Sequence, residues 1–251
     1  MGIRRGSIST PIIADGLVFN MDAANRASTM PNTDTTTTFN TVDTSIFGSI
    51  ITDGTWEAGP PLAFDFDGSD GHIQFGVLSF IRNVSEFTIS LWVQISNLTS
   101  NYRFFGSRQS SSPYDGLGSE TGSGGMAGKL FFYSMGDNQA FPAVGITMAN
   151  EGITANNWFL FTCRYGNSTQ EIFVNGNPTT VTQGSTTTNV ASTTDNNSTN
   201  FLIGGDSINS AGKLNGKIGN FQIYNRALSS TEILHNYNAL KGRFGLWNTG
   251  Q

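Results

Sequence analysis

The chain has 251 residues, enough for one large domain with a well-buried core, and 12% of them are charged against roughly 25% in average proteins. A net charge of −5, with Arg4-Arg5 as the one adjacent basic pair, argues against a nucleic-acid binder, and no apolar run approaches the roughly 20 residues of a membrane-spanning helix. Nineteen Phe, six Tyr and four Trp need a core, which argues against disorder.

Residues 1–14 have no clean periodicity, and Gly2, Gly6, Ser7, Ser9, Thr10 and Pro11 predict an extended arm ahead of a domain over residues 15–251. Two readings of the arm stay open. It is a disordered terminus, or it is a tether that buries Ile3, Ile8, Ile12 and Ile13 and sets Arg4 and Arg5 against acidic groups of a partner. Its lack of an apolar secretory core predicts synthesis in a cytoplasm without export by the usual route.

Asp15 to Met21 is expected to form the first strand. Asn25 to Ser49 is polar, with Thr35 to Thr38 consecutive, and predicts a long loop or a weakly paired edge. Strands follow over Leu62 to Phe66 and His72 to Phe75, joined by the turn Asp67-Gly68-Ser69-Asp70-Gly71. Phe87 to Ile95 alternates, with Phe87, Ile89, Leu91, Val93 and Ile95 on the core face and Trp92 on the other. Arg103 to Gly106 is short, and Ser107 to Gly128, rich in Ser and Gly, predicts a long surface loop.

Four successive strands are expected at Lys129 to Met135, Ala143 to Met148, Trp158 to Tyr165 and Glu171 to Asn175, the last ending in the hairpin turn Val174-Asn175-Gly176-Asn177. Gln183 to Asn200 is nearly all Ser, Thr and Asn and predicts a projecting loop. Phe201 to Gly204 is another strand. The closing unit then runs from a strand carrying Ile218, Phe221, Ile223 and Tyr224 to a short helix. Ser229 is its N-cap, Glu232 completes a capping box, Ile233, Leu234, Tyr237 and Leu240 form its apolar face, and Gly242 ends it. A lone short amphipathic helix after so many strands must bury that face on a sheet.

About a dozen short strands punctuated by turns imply an all-β sandwich or barrel, and pattern alone does not separate the two. Phe87, Ile89, Leu91, Val93, Phe159, Phe161, Ile172, Val174, Phe221 and Ile223 are the expected core.

Four stretches carry a resemblance: Gly16 to Asn25 (GLVFNMDAAN), Phe64 to Ile73 (FDFDGSDGHI), Phe87 to Val93 (FTISLWV), and the ending Tyr224 to Ile233 (YNRALSSTEI). Together they are similar to the laminin-G-like, concanavalin A-like domains over nearly the whole chain. The resemblance implies a jelly-roll β-sandwich of two antiparallel sheets with one short C-terminal helix. The ending from Glu232 to Leu246 resembles laminin-G-like structural proteins of tailed bacteriophages.

Chemistry is sparsely marked. Relatives of this fold that hydrolyse glycosides hold carboxylates as Glu-x-Asp-x-x-Glu on one strand, a pattern that does not occur here, so no catalytic residue is expected and the protein is read as a non-enzyme. His72 and His235 lie in no nucleophile motif, and Cys163, alone in the chain, reads as a small buried apolar side chain. Asp67 and Asp70 are candidate calcium ligands, since oxygen ligands on a tight turn suit that cation and several laminin-G-like relatives carry one; the same residues also make an ordinary turn.

The first functional expectation is a virion structural protein of a bacteriophage, made in the host cytoplasm. It would be a capsid decoration, fibre or tail attachment component, joined to other virion proteins through Ile3, Arg4, Arg5, Ile8, Ile12 and Ile13. A homo-oligomer would multiply such contacts through avidity. Host surface glycans are a further partner class, with Tyr102, Tyr114 and Trp247 as candidate stacking aromatics. The alternative is a calcium-dependent, lectin-like carbohydrate-binding module unconnected with a virion. Neither reading includes nucleic acid or membrane as a partner.

Overall fold

In the computed structural model, which describes residues 11–25, 27–28, 36–51, 55–57, 60–82, 84–108, 116–135, 143–184, 200–206 and 212–246, the chain forms two antiparallel sheets and one α-helix. The strands are β1 (Leu17–Asp22), β2 (Thr37–Phe39), β3 (Phe47–Ile51), β4 (Thr55–Glu57), β5 (Ala63–Asp67), β6 (His72–Phe75), β7 (Phe87–Ile95) and β8 (Arg103–Arg108). There follow β9 (Gly116–Thr121), β10 (Lys129–Met135), β11 (Ala143–Thr147), β12 (Phe159–Gly166), β13 (Thr169–Val174), β14 (Asn177–Pro178), β15 (Gln183–Gly184), β16 (Leu202–Ile203) and β17 (Asn215–Tyr224). The helix α1 spans Ser230–Leu240.

The first sheet has the order β14-β13-β12-β7-β17-β5-β4. Its centre is β17, whose first half pairs with β5 and whose second half pairs with β1, while β7 runs along its other side. The second sheet has the order β15-β11-β10-β9-β8-β16-β6-β3-β2. Between the two sheets, Phe19, Phe75, Phe105 and Phe221 meet edge to face at 5.0 to 6.0 Å, the arrangement favoured by ring quadrupoles. All ten expected core residues lie in this cluster.

Trp92 does face away from it, as the alternation of β7 requires, yet it is fully buried. Phe244 stacks on it at 4.3 Å and Tyr237 at 5.7 Å, so α1 and the chain behind it roof the outer face of the first sheet. That approach needs Gly219 in β17, because a Cβ there would stand 2.3 Å from the Phe244 ring. The capping box at Ser229 and Glu232 is present. At the hairpin after β13, Asn175 and Gly176 both take positive φ, at 52° and 82°, as a tight hairpin turn demands.

Three expectations are corrected. Residues 116–121, expected within a surface loop, are β9, between β8 and β10. Its sequence GLGSET carries one apolar side chain for the core, Leu117, so the strand is held by its ladders and by bonds such as Ser119 Oγ to Phe131 O and Thr121 Oγ1 to Ser100 O. Gly242 does not end the helix. A 3-10 turn continues over Lys241–Phe244, carrying Phe244 to Trp92, and Gly245 takes the left-handed φ of 77°. Leu234 is 39% exposed, and Asn236 is the buried helix residue in its place beside Ile233. The described part of the polar stretch Asn25 to Ser49 includes an edge, as one of its two readings had it: β2 and the start of β3 close the second sheet.

Candidate functional site

Alternation in β3 turns Phe47 and Ser49 outward and packs Gly48 against the Phe75 ring. Ser49 stands opposite Gln74 of β6, whose neighbours Ile73 and Phe75 point into the core. After β6 the chain passes through Gly76 and Val77 into the 3-10 turn Ser79–Ile81. Leu78 and Ile81 plug the core there, and Val77 and Ser79 face out. These outward residues, with Ser45, Ile46, Phe80 and Asn200, enclose a solvent-open cleft of about 430 Å³. Phe47 is 56% exposed and Val77 41%, so each offers apolar surface to an occupant.

The loop on one side of the cleft is fixed from behind. Buried Asn40 accepts from the backbone N–H groups of Asn20 and Val42 and donates to Val18 O, and its own N–H donates to Ile46 O. Asp43 accepts from Ser45 N at 3.0 Å and from Ser45 Oγ at 2.7 Å, and those bonds hold its carboxyl below the usual carboxylate range. The site is therefore built on a rigid edge. Its parts lie in three segments far apart in the chain, so no local pattern marks it; the one local hint is Phe47 in a stretch otherwise poor in aromatics.

A second polar constellation lies on the outer face of the same sheet. Arg103 Nη1 sits 2.7 Å from both Glu120 Oε2 and Asp206 Oδ2, and Tyr133 OH donates to Asp206 at 3.4 Å. Lys213 is buried nearby; burial lowers its pKa, and Asp206 and Asp70 partly offset that. Arg103 N also donates to Gly212 O, so the group ties the chain around residues 206 and 212 to the sheet. Its two carboxylates turn onto a guanidinium. No motif announced it, because Arg103, Glu120 and Asp206 come from three separate parts of the chain.

The residues singled out by sequence fall elsewhere. Tyr102 is 8% exposed, with its ring in the core and its hydroxyl 2.9 Å from Ser96 Oγ, so it offers no face to a sugar: the strand that follows draws it inward. Tyr114 and Trp247 lie outside the described residues, as do Ile3, Arg4, Arg5 and Ile8. Asp67 and Asp70 are exposed on one turn. Asp67 Oδ1 accepts from Ser69 N at 2.8 Å, and Asp70 contributes its carbonyl to His72 Nδ1 at 2.7 Å. Among the described residues no three His, Cys, Asp or Glu side chains gather as a metal site.

Ile12 and Ile13 are half-buried on the chain's own domain. Ile13 packs beside Phe173, Tyr224, Leu228 and Ile233; its N–H donates to Asn236 Oδ1 at 2.8 Å and its carbonyl accepts from Tyr224 OH at 3.0 Å. His235 Nε2 lies 2.9 Å from Pro11 O. This end of the expected arm is thus docked in its own chain, because the buried amide of Asn236 needs partners. Cys163 is fully buried, and burial pushes its thiol well up, away from the reactive thiolate.

A laminin-G-like family model, described as the concanavalin A-like lectin/glucanases superfamily, matches residues 67–234, more than half of the chain. The chain belongs to that superfamily. Trypanosoma rangeli sialidase in complex with sialic acid is similar at a TM-score of 0.64 and 17% identity, over 94% of this chain and 36% of that one. The botulinum neurotoxin serotype D binding domain is similar at 0.66 and 14%, over 89% of this chain and 51% of that one. The receptor binding domain of botulinum neurotoxin C/D mosaic serotype is similar at 0.66 and 13%, over 90% and 52%. The laminin-G-like domain thus spans about a third to a half of the length of these structures, and at such identities the likeness concerns the fold. No curated protein matches the sequence.

Proposed function

We propose that this laminin-G-like domain is a non-enzymatic saccharide-binding protein whose contact is the cleft between β3, β6 and the turn Ser79–Ile81. The observation that carries the reading is the composition of that cleft. The half-exposed ring of Phe47 offers a flat apolar face, and the amides of Gln74 and Asn200 and the hydroxyls of Ser45, Ser49 and Ser79 surround it. A sugar ring has the complementary surface, apolar C–H faces edged by hydroxyls that both donate and accept. The volume is in the range of small-molecule sites. A sialidase complexed with sialic acid and a toxin receptor-binding domain among the similar folds support a recognition role.

Against catalysis stand the lack of the Glu-x-Asp-x-x-Glu strand and the engagement of Glu120 and Asp206 with Arg103. Glycoside hydrolysis needs two carboxylates flanking the scissile bond. The decisive experiment is a glycan array probed with the wild type and Phe47→Ala. Burying about half of a Phe side chain contributes about 1 kcal/mol, so the variant is expected to bind about fivefold more weakly. Binding that is indifferent to Phe47 would overturn the assignment. A chelator arm separates this reading from a calcium-dependent lectin: binding should persist after metal removal.

The setting we propose is a bacteriophage particle, where the domain would serve as a capsid decoration, fibre or tail attachment component. The resemblance of residues 232–246 to phage structural proteins supports it. A mass-spectrometric inventory of purified particles tests it, and consistent absence of the protein would remove that setting while leaving the binding reading intact.

A further inference from the structure

The cleft has a charge character that narrows its occupant. None of its twelve described lining residues is charged. Behind the wall, Asp43 binds both the N–H and the hydroxyl of Ser45, which itself lines the cleft. The Asp43 carboxylate therefore sits one hydrogen-bonded residue away from the lining of the cleft. Sugars bearing sialic acid, uronic acid or sulfate would bring a second anion to this wall and would lose water without gaining a cationic partner among the described lining residues.

Building on the saccharide reading, we propose that the cleft selects neutral saccharides, stacked on Phe47 and hydrogen-bonded by Gln74 and Asn200, and rejects acidic ones through Asp43. The wall's apolar side, Phe47 and Val77, favours the least polar faces of such sugars and offers nothing to a charged substituent.

The test is titration calorimetry at low ionic strength with pairs of oligosaccharides that share a neutral core and differ by one sialic or uronic acid. The wild type is expected to bind the neutral member at least about threefold more tightly. Asp43→Asn, which keeps an Oδ1 acceptor for Ser45, is expected to narrow that gap. Added salt is expected to narrow it as well. Acidic members that bind as tightly as neutral ones would overturn the inference and leave saccharide binding standing, as would a gap that Asp43→Asn does not alter. Failure of every oligosaccharide to bind would sink the saccharide reading itself, and this inference with it.

Discussion

Phe47 is exposed, so its removal should leave the fold nearly untouched: substitutions away from packed features usually stay within about 0.5 kcal/mol. Phe47→Ala is therefore expected to keep the thermal midpoint of the wild type while losing saccharide affinity, and a drop in midpoint of several degrees would show that the residue supports the fold instead. Glu232 is a different case. Hydrogen bonds from Arg226, and then from the Ser229 backbone, hold its carboxyl down to about 2. A carboxyl held below its unfolded value of about 4.3 stabilises the fold above that value and loses the contribution as pH falls toward 2. Glu232→Gln is thus expected to lower the urea midpoint at pH 7, and the gap from wild type should close between about pH 4.5 and 2. A gap of constant size across that window would contradict the ion pair.

The closing unit shows what a local pattern can and cannot specify. Ser229 and Glu232 lie three residues apart, and the capping box they form involves nothing beyond that turn, so it was readable from spacing. Ser229→Ala should cost about 1 kcal/mol in chemical denaturation. The helix end was misread because a distant contact sets it: the chain winds through the 3-10 turn to seat Phe244 on Trp92. Phe244→Ala should cost about 3 kcal/mol, and a loss below 1 kcal/mol would show that the roof over Trp92 is not tightly packed. The strand β9 was missed for a related reason. Alternation is the signal for a half-buried strand, and GLGSET has little of it, since its neighbours supply the apolar cover. Tyr102, a candidate stacking aromatic, turns inward because its side-chain direction depends on a neighbouring strand that composition does not reveal.

Across the whole molecule, an all-β sandwich or barrel was open to reading from pattern, since Phe87 to Ile95 alternates cleanly, and the resemblance selected the sandwich; the strand of Phe221 breaks its alternation at a register shift between Ile218 and Asn220. Phe221→Ala should destabilise by about 3–5 kcal/mol. The cleft was not, because it exists only once β3, β6 and the residue before Phe201 are brought together by pairing in the second sheet. A local motif can mark the Asp67–Asp70 turn or an isolated aromatic, but not a cleft assembled from separate strands. The measurement that tests the account most directly is protein-observed NMR during titration with a neutral oligosaccharide. The account expects the largest shift changes in one patch at Phe47, Ser49, Gln74, Val77 and Asn200. Changes centred instead on Asp67 and Asp70, or on Arg103, Glu120 and Asp206, would place the binding surface elsewhere and contradict it.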